Sequence, residues 1–314
     1  MSTKNAFITG GSGYIGSEIV KKAIARGWTV RGLSRSESSD AKLTALGATP
    51  VRGELTSLDI LASEATKADY FINVAYDLDL RKPSVDYKEA SNTDRIVIDA
   101  VIGAMRPGSV FVQTTGVLVS TQPADGSEAD ETAPYADTVF GLRGQNETYA
   151  LNKGVEHGVV VNVVRPAAFV YGEQGSGVAM MMASATQRKT ATYVDEGSAL
   201  VSSVHVRDCA EVYMLAAEKQ TSGIYHAVSD NNVSFKQISE AIGEVLKVPV
   251  VSIPKATLES MTTPMMVTFL TSSSRASSRK AREQLGWKPE ETPILEDITK
   301  GSYTKLADSL QAQA

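Results

Sequence analysis

The sequence predicts an α/β fold, a doubly wound parallel sheet with a smaller, discontinuous lobe toward the carboxyl terminus. Through the first half of the chain, short runs rich in Val, Ile and Phe alternate with amphipathic stretches, as strands and helices do when they follow one another. After Gly172 this alternation gives way to a methionine-rich segment, Gly177 to Lys189. The 314 residues are enough for one large domain or two modest ones.

A glycine turn joins the first strand to the first helix, with the sequence Gly10-Gly11-Ser12-Gly13-Tyr14-Ile15-Gly16. Gly10 allows a tight turn, Gly13 lets the backbone approach a phosphate, and Gly16 lets the helix pack closely on the sheet. The helix start then offers N–H groups and the positive end of its dipole to an anion. Together with a strand at 29–33, this is the βαβ unit of a Rossmann-type dinucleotide site. We therefore expect Gly10, Gly13, Tyr14, Ile15 and Gly16 to bind a dinucleotide.

The other elements of the first half continue the alternation. We expect strands near 5–9, 29–33, 48–52, 69–74, 109–114 and 159–165. We expect helices near 14–26, 40–46, 57–65, 88–105 and 139–153. Residues 1–172 are therefore predicted to form the dinucleotide-binding domain.

The later chain carries shorter elements. We expect strands at 192–195, 204–206, 224–228 and 250–253, and helices at 207–218, 235–246 and 275–285. The Ser-rich stretch 271–278 is predicted to be a mobile loop. His205 and Asp208 stand at the start of a helix, where we expect structural capping and hydrogen bonding rather than catalysis. We expect residues 204–230 to return to the first domain, and 173–203 with 231–314 to form the smaller substrate-binding lobe.

Composition excludes several classes of function. The net charge of -5 and the lack of a Lys/Arg stripe argue against nucleic acid as a partner. No apolar run approaches the ~20 residues that span a bilayer, and the amino terminus enters a strand directly, so we expect no membrane association and a cytoplasmic protein. Cys209 is a single cysteine, and the three histidines lack metal-ligand spacing, so we expect no disulfide and no metal.

The end of the second strand indicates which dinucleotide binds. NAD sites place an acidic residue there, about 20 residues beyond the glycines, to accept the ribose 2′-hydroxyl. Here the stretch is Ser34-Arg35-Ser36. The two hydroxyls can donate hydrogen bonds, and Arg35 can pair with a 2′-phosphate or stack on adenine. We expect NADP(H), with Arg35 as an ordinary solvated charge being the alternative.

Further motifs follow the glycine turn in order along nearly the whole chain. They are Glu54-Leu55, Asn73-Val74-Ala75, Asn92-Thr93, Arg165-Pro166-Ala167-Ala168-Phe169-Val170-Tyr171-Gly172, Val204-His205-Val206-Arg207-Asp208 and Leu285-Gly286-Trp287-Lys288-Pro289. Together they resemble the extended and atypical short-chain dehydrogenase/reductases, the epimerase/dehydratase-like branch. The resemblance implies further cofactor contacts at Glu54, Leu55, Asn73, Val74, Ala75, Thr114, Arg143, Pro166 and Phe169.

The same resemblance implies a catalytic Tyr, a Lys four residues later, and a Ser or Thr that orients the substrate. Thr115 fits the hydroxyl role. A literal Tyr-x-x-x-Lys occurs at Tyr149 and Lys153. Because cofactors bind at the carboxyl ends of parallel strands, the reactive Tyr has to lie near the start of the helix that precedes the sixth strand. Tyr149 lies near that helix's end, so we interpret it as a decoy.

Counting back from the sixth strand by the family's usual spacing puts the Tyr position at Val139 and the Lys position at Arg143. Tyr149 would then lie about 15 Å down the helix from Val139. Arg143 could hold ribose hydroxyls, but it is a poor proton relay. Substitute acids are Tyr135 and Tyr76, either of which could instead be an aromatic residue that lines the pocket.

Six methionines in the second lobe favour a small apolar substrate. They are Met180, Met181, Met182, Met261, Met265 and Met266. The stretch Leu200-Val201-Ser202-Ser203 lacks the Arg that sugar-nucleotide relatives carry there. We expect an NADP(H)-dependent oxidoreductase that reduces a carbonyl or related unsaturated group. The alternatives are a non-redox isomerase, epimerase or cyclase, and a catalytically silent NADP(H)-binding sensor or regulator. The chain is compatible with a monomer or a homodimer.

Overall fold

A parallel β-sheet forms the centre of the structure, a computed structural model that describes residues 3–77, 86–173 and 175–313. The strands are β1 Asn5–Thr9, β2 Thr29–Ser34, β3 Thr49–Arg52, β4 Tyr70–Asn73, β5 Val110–Thr114, β6 Val160–Pro166, β7 Phe169–Tyr171, β8 Ala191–Val194, β9 Leu200–His205, β10 Gly223–Ala227, β11 Asp230–Ser234 and β12 Val250–Ile253. The helices are α1 Tyr14–Ala25, α2 Glu37–Ala45, α3 Leu58–Ala65, α4 Tyr87–Ala104, α5 Gly141–His157, α6 Gly177–Arg188, α7 Val206–Glu218, α8 Phe235–Leu246, α9 Lys255–Met261, α10 Pro264–Thr271, α11 Arg279–Leu285, α12 Ile294–Lys300 and α13 Thr304–Ala312.

Seven strands pair in parallel in the order β10-β6-β5-β4-β1-β2-β3. The order reverses between β1 and β4, which are neighbours with Phe7 opposite Phe71. Crossovers in the two directions place helices on both faces of the sheet, and ligands bind where the direction changes. The predicted α/β fold with a doubly wound sheet is confirmed.

Each face of the sheet has its own apolar core. Ile19 of α1 and Val212 of α7 are fully buried on one face, in a core that also includes Ile8. On the other face, Leu61 of α3 and Val97 of α4 pack in a second core. Strands buried on both sides are nearly continuous in apolar residues, which is why the sequence predicts them well.

A third apolar core lies beyond β7. It joins α6, α8, α12 and α13 and includes the buried side chains of Val178, Ile242, Ile298 and Ala307. Beside it, β11, β9 and β7 form a three-stranded sheet, and β8 pairs with β12. The domain boundaries that we predicted around residue 172 stay a prediction.

The Ser-rich stretch 271–278 is where the structure departs most from expectation. Ser274 and Ala276 are 1% exposed, and they form bridges with Val201 and Ala129. These backbone contacts hold residues 274–276 in an extended course, so α11 begins at Arg279 and not at residue 275 as predicted. No helix in the described ranges is long and apolar enough to cross a membrane.

Candidate functional site

The glycine turn opens α1 as an anion-binding helix start. Gly10 has φ +70°, in the left-handed region that favours glycine, and its carbonyl accepts a hydrogen bond from the Gly13 N–H at 2.9 Å. Gly13 caps α1 without a side-chain hydrogen bond, and no acidic residue occupies the first turn. The N–H groups of Tyr14 and Ile15 therefore meet no competing carboxylate, and the turn fits a pyrophosphate.

Backbone contacts explain why the turn needs glycine. A Cβ on Gly16 would lie 2.0 Å from the Gly10 carbonyl oxygen, and a Cβ on Gly10 would lie 2.9 Å from the backbone nitrogen of Ala75. The Ala75 N–H in turn donates to Thr9 Oγ1 at 3.1 Å. The glycine turn and the end of β4 therefore lie side by side, at the point where the strand order reverses.

The three residues at the end of β2 that we predicted at the 2′-phosphate have different roles in the structure. The Ser34 hydroxyl is buried and donates to the Ser36 carbonyl at 3.1 Å. The Ser36 hydroxyl accepts from the Ser39 N–H at 3.2 Å and caps α2. Arg35 is exposed beside them. Only Arg35 therefore has a side chain that is not already used in the local fold.

A buried polar network lies under the carboxyl ends of β4 and β5. Asn73 accepts from Thr9 Oγ1 at 2.6 Å and donates to Gln113 at 3.0 Å. Gln113 donates to both carboxylate oxygens of Asp94, at 2.8 and 3.0 Å, and burial raises the pKa of that carboxyl. Asn73 is 1% exposed, so its side chain stabilises the strand ends beneath the site and is not open to a ligand.

Other predicted cofactor residues occupy the rim of these strands. Glu54 is exposed just after β3, with its backbone N–H donating to Ser57 Oγ at 3.0 Å, and Leu55 is half-buried. Val74 is half-buried after β4. The Tyr14 hydroxyl donates to the Gly172 carbonyl, so this side chain ties α1 to the end of β7.

A cavity of about 780 Å³ extends from α1 and the strand ends into the third core. Its wall near the strands is formed by Ile15, Tyr87, Thr114, Thr115, Phe140, Arg143, Pro166 and Phe169. Its far wall includes Ile242, Ile253, Leu258, Met261, Met265, Met266 and Phe269, with Met180 and Met181. The charged side chains among its described lining residues are Arg143 and Arg188. Five of the six predicted methionines line the cavity, and Met182 is in the core.

Thr115 lies on the cavity wall, but its hydroxyl donates to Glu147 Oε1. Glu147 is fully buried and pairs with Arg165, whose Nη2 lies 2.6 Å from Oε2. A carboxylate so placed holds the hydroxyl proton of Thr115 toward the protein interior. Thr115 can therefore accept a hydrogen bond from a ligand.

Arg143 closes the carboxyl end of β5. It donates to the Thr114 carbonyl at 2.6 Å and the Thr115 carbonyl at 3.1 Å, and its guanidinium lies 3.8 Å from the Tyr76 ring centroid. Its Nε is buried and has no hydrogen-bond partner among the described residues, and the same is true of the Tyr76 hydroxyl. Such orphaned groups beside the strand ends fit a site that takes a polar ligand.

The structure places two of the predicted tyrosines away from the cavity. The Tyr135 hydroxyl lies 2.8 Å from Thr148 Oγ1, and its ring packs on Gly144 of α5. The Tyr149 hydroxyl donates to Asp99 of α4 at 2.6 Å, and Lys153 lies 3.0 Å from the same carboxylate. Neither tyrosine lines the cavity, so we leave Tyr135 out of the proposed site. Val139 is 44% exposed before α5 and is not a lining residue either.

Tyr87 and Phe140 are two aromatic lining residues near the strand ends that the sequence reasoning missed. Tyr87 is the first residue of α4, and its ring meets Phe140 edge-on at 5.6 Å. Neither residue belongs to a motif. A tyrosine at the start of a helix that follows β4 was the available signal, because that position faces the carboxyl edge of the sheet.

His205 and Asp208 have structural roles, as predicted. His205 caps α7, with Nδ1 accepting from the Arg207 N–H at 3.2 Å. The Asp208 carboxylate accepts from the N–H groups of Glu290 at 3.0 Å and Glu291 at 3.1 Å.

A glycine turn at the switch point of a doubly wound parallel sheet, beside an apolar cavity, defines a Rossmann-type dinucleotide-binding protein. Residues 6–228 match the model of the NAD dependent epimerase/dehydratase family, and the chain belongs to that family. The resemblance to extended short-chain dehydrogenase/reductases that the motifs indicated is confirmed.

Three similar proteins illustrate the range of relatives. A protein of Saccharomyces cerevisiae, described as uncharacterised, is 33% identical over 300 residues, 93% of this chain and 97% of that protein. The 4-hydroxy-2-methyl-3-oxo-4-farnesyl-3,4-dihydroquinoline-1-oxide ketoreductase of Stigmatella aurantiaca is 30% identical over 229 residues, 71% of this chain and 67% of that protein. The structure of Thermus thermophilus UDP-glucose 4-epimerase in complex with NAD covers 99% of this chain and 100% of that one, with a TM-score of 0.76 and 20% identity.

Proposed function

We propose that the protein is an NADP(H)-dependent oxidoreductase that reduces a carbonyl or related unsaturated group on a small apolar molecule. The observation that carries this proposal is the cavity of about 780 Å³, which runs from Ile15 at the helix start to a wall of methionines and aliphatic residues. Pockets of this size suit a small molecule, and this lining favours an apolar one. The Stigmatella aurantiaca relative, by its name a ketoreductase of a farnesylated compound, supports this choice.

The cofactor contacts in this proposal follow the strand ends. The first turn of α1 would hold the pyrophosphate, Arg35 the 2′-phosphate, and Arg143 with Pro166 and Phe169 the nicotinamide end. When bound, NADPH supplies a hydride to the carbonyl carbon of the substrate. Glu54, Leu55 and the end of β4 would line the adenine side, as the family resemblance implies.

The catalytic dyad of the family is degenerate in this proposal. Val139 stands at the expected Tyr position and Arg143 at the Lys position, while Tyr149 and Lys153 are engaged with Asp99. Thr115 donates its own proton to Glu147, so it would accept a hydrogen bond from the hydroxyl of the alcohol product and would not donate one to the substrate carbonyl. Arg143 would fix the cofactor ribose without relaying protons.

The test is a measurement of binding and turnover on the purified protein. NADPH and NADH are titrated by the quenching of protein fluorescence, and we expect the Kd for NADPH to be lower by about tenfold or more, as one or more charge-assisted hydrogen bonds to a phosphate would produce. NADPH oxidation at 340 nm is then followed with decanal, benzaldehyde and 1-phenyl-1,2-propanedione, and the alcohol products are quantified by chromatography.

Two other results would support a different function, and a third would contradict the choice of cofactor. An isomerised product without loss of NADPH would favour a non-redox isomerase or epimerase. Tight NADPH binding without turnover of any carbonyl would favour a sensor or regulator. Equal affinity for both dinucleotides would contradict the assignment of NADP(H).

A further inference from the structure

Carbonyl reduction needs a proton donor at the substrate oxygen, and two hydroxyls at the strand ends are unable to supply it. Thr114 Oγ1 donates to the Asn73 carbonyl at 2.7 Å and accepts from the Tyr213 hydroxyl at 3.0 Å. Thr115 Oγ1 donates to the buried carboxylate of Glu147. Both protons are therefore committed to the protein interior.

Tyr87 is the phenol that remains on this wall. Among the described residues that line the cavity, it is the only tyrosine, and it shares the wall with Phe140 and Arg143. Its ring lies 5.6 Å from that of Phe140, at an interplanar angle of 84°, and 6.1 Å from that of Tyr76. The guanidinium of Arg143 lies 3.8 Å from the centroid of the Tyr76 ring, so the two phenols and this cation form one cluster.

We propose that Tyr87 is the catalytic residue that donates the proton in the proposed reduction, with Arg143 as the neighbouring cation that stabilises its phenolate. This inference rests on the proposed function. Tyr87 occupies a place on α4, whereas the position expected from the family lies before α5, at Val139. The proposed donor therefore lies on a different helix from the one expected, but at the same edge of the sheet.

The protonation step transfers one proton from Tyr87 to the substrate oxygen. As the carbonyl carbon gains a hydride, its oxygen takes the proton of the Tyr87 hydroxyl, and the carbonyl becomes an alcohol. The phenolate left behind regains a proton from water. Burial raises the pKa of Tyr87, and the positive charge of Arg143 opposes that rise. The protonated form, which is the one that reduction needs, is therefore the resting form at neutral pH.

Tyr87→Phe tests the assignment, because it removes the hydroxyl and keeps the ring. We expect kcat with the carbonyl panel to fall by about 10²-fold or more, the usual contribution of a general acid, with the Kd for NADPH unchanged. The alkaline limb of the kcat profile, which reports loss of the donor's proton, should disappear in any residual activity of the variant.

Two matched variants separate the donor from its surroundings. Tyr149→Phe removes a hydroxyl outside the cavity and should leave kcat unchanged. Tyr76→Phe removes the buried phenol beside Arg143 and should have a far smaller effect than Tyr87→Phe. A collapse of kcat in Tyr76→Phe with an active Tyr87→Phe would overturn the assignment in favour of Tyr76.

A crystal structure with NADP⁺ gives a readout that does not depend on turnover. We expect the Tyr87 hydroxyl within about 5 Å of the nicotinamide C4, because a substrate carbonyl has to lie between them within reach of about 3 Å of each. A hydroxyl turned away from C4 would refute the role of Tyr87. Wild-type protein that reduces no carbonyl would refute the proposed function, whereas an active Tyr87→Phe beside active wild type would refute only this inference.

Discussion

Arg35 is the residue on which the choice of cofactor depends. Of the three side chains at the end of β2, Ser34 donates to a backbone carbonyl and Ser36 caps α2, so both act in the local fold. Arg35 is exposed. A guanidinium here can form paired hydrogen bonds with a phosphate, whereas it gains little from the ribose hydroxyl of NADH.

We expect Arg35→Asp to raise the Kd for NADPH by about 10- to 100-fold, the value of one or two lost charge-assisted hydrogen bonds, and to change the Kd for NADH little. Fluorescence titration with both dinucleotides measures this. Lys42→Asp makes the same charge change on an exposed position of α2 and serves as the control. An equal loss for NADPH and NADH in Arg35→Asp would show that Arg35 does not recognise the 2′-phosphate.

Single residues also show where the sequence stops being informative. The motif that contains Thr115 predicts a hydroxyl at the end of β5, and the structure places it on the cavity wall. Which way its proton points depends on Glu147, 32 positions later, and on the buried Arg165 that pairs with that carboxylate. Tyr87 belongs to no motif, so only the three-dimensional neighbourhood reveals it.

At the scale of elements, the start of α1 depends on the absence of side chains. A methyl group at Gly16 would lie 2.0 Å from a backbone oxygen, whereas one at Gly103, inside α4, would meet nothing within 4 Å. The two glycines are both helical but differ in their surroundings.

We expect Gly16→Ala to destabilise the protein by about 1–3 kcal/mol, as overpacking does, and to weaken NADPH binding because the turn has to shift. Gly103→Ala should stabilise it by about 0.5–1 kcal/mol through helix propensity and leave binding intact. Urea unfolding and NADPH titration on both variants measure these changes. Wild-type affinity and stability in Gly16→Ala would contradict the proposed pyrophosphate site.

Elements with strong periodicity are predicted well, and those defined by distant contacts are not. The six strands of the first half lie within about two residues of their predicted positions, since all but the edge strand β3 are largely buried. The strand β11 includes Asn231 and Asn232 and pairs with β9 only because the chain folds back. The short helices α9, α10, α12 and α13 lack a clear sequence pattern, because each buries only a few residues: α10, α12 and α13 pack theirs on the third core, and α9 buries only Leu258.

At the scale of the whole molecule, the cavity joins parts of the chain that are far apart in sequence. Its walls come from α1, from the starts of α4 and α5, from the ends of β5 and β6, and from helices after residue 176. The sequence indicates each part separately, through the glycine turn, the strand-end motifs and the methionines. Their meeting in one cavity depends on the sheet order and on the packing of the third core, which no local pattern contains.

A buried polar chain runs from Thr115 on the cavity wall, through Glu147 and Arg165, to His226 of β10 at one edge of the sheet. Arg165 donates to Glu147, to Ser120 Oγ at 2.9 Å and to His226 Nε2 at 3.2 Å. Since Nε2 accepts, Nδ1 carries the proton and donates to the Ser277 carbonyl at 2.9 Å. Burial and the adjacent Arg165 lower the pKa of His226 from 6.5 to about 3, so the folded protein keeps this imidazole neutral.

This buried histidine should make the whole fold sensitive to mild acid. Below pH 6.5 the unfolded chain binds a proton at His226 that the folded protein excludes until about pH 3, so stability falls as the pH decreases through that window. The slope is about 1.4 kcal/mol per pH unit, which gives a loss of about 1 kcal/mol between pH 7 and pH 5.5.

His226→Gln can keep both hydrogen bonds but does not titrate. Urea unfolding at the two pH values should therefore show a loss of unfolding free energy that is about 1 kcal/mol smaller in this variant than in wild type. His157→Gln, at the end of α5 and outside the network, controls for removal of a histidine. An identical acid loss in wild type and His226→Gln would mean that His226 takes up its proton without unfolding, and that the chain from Glu147 to Ser277 opens more readily than its burial indicates.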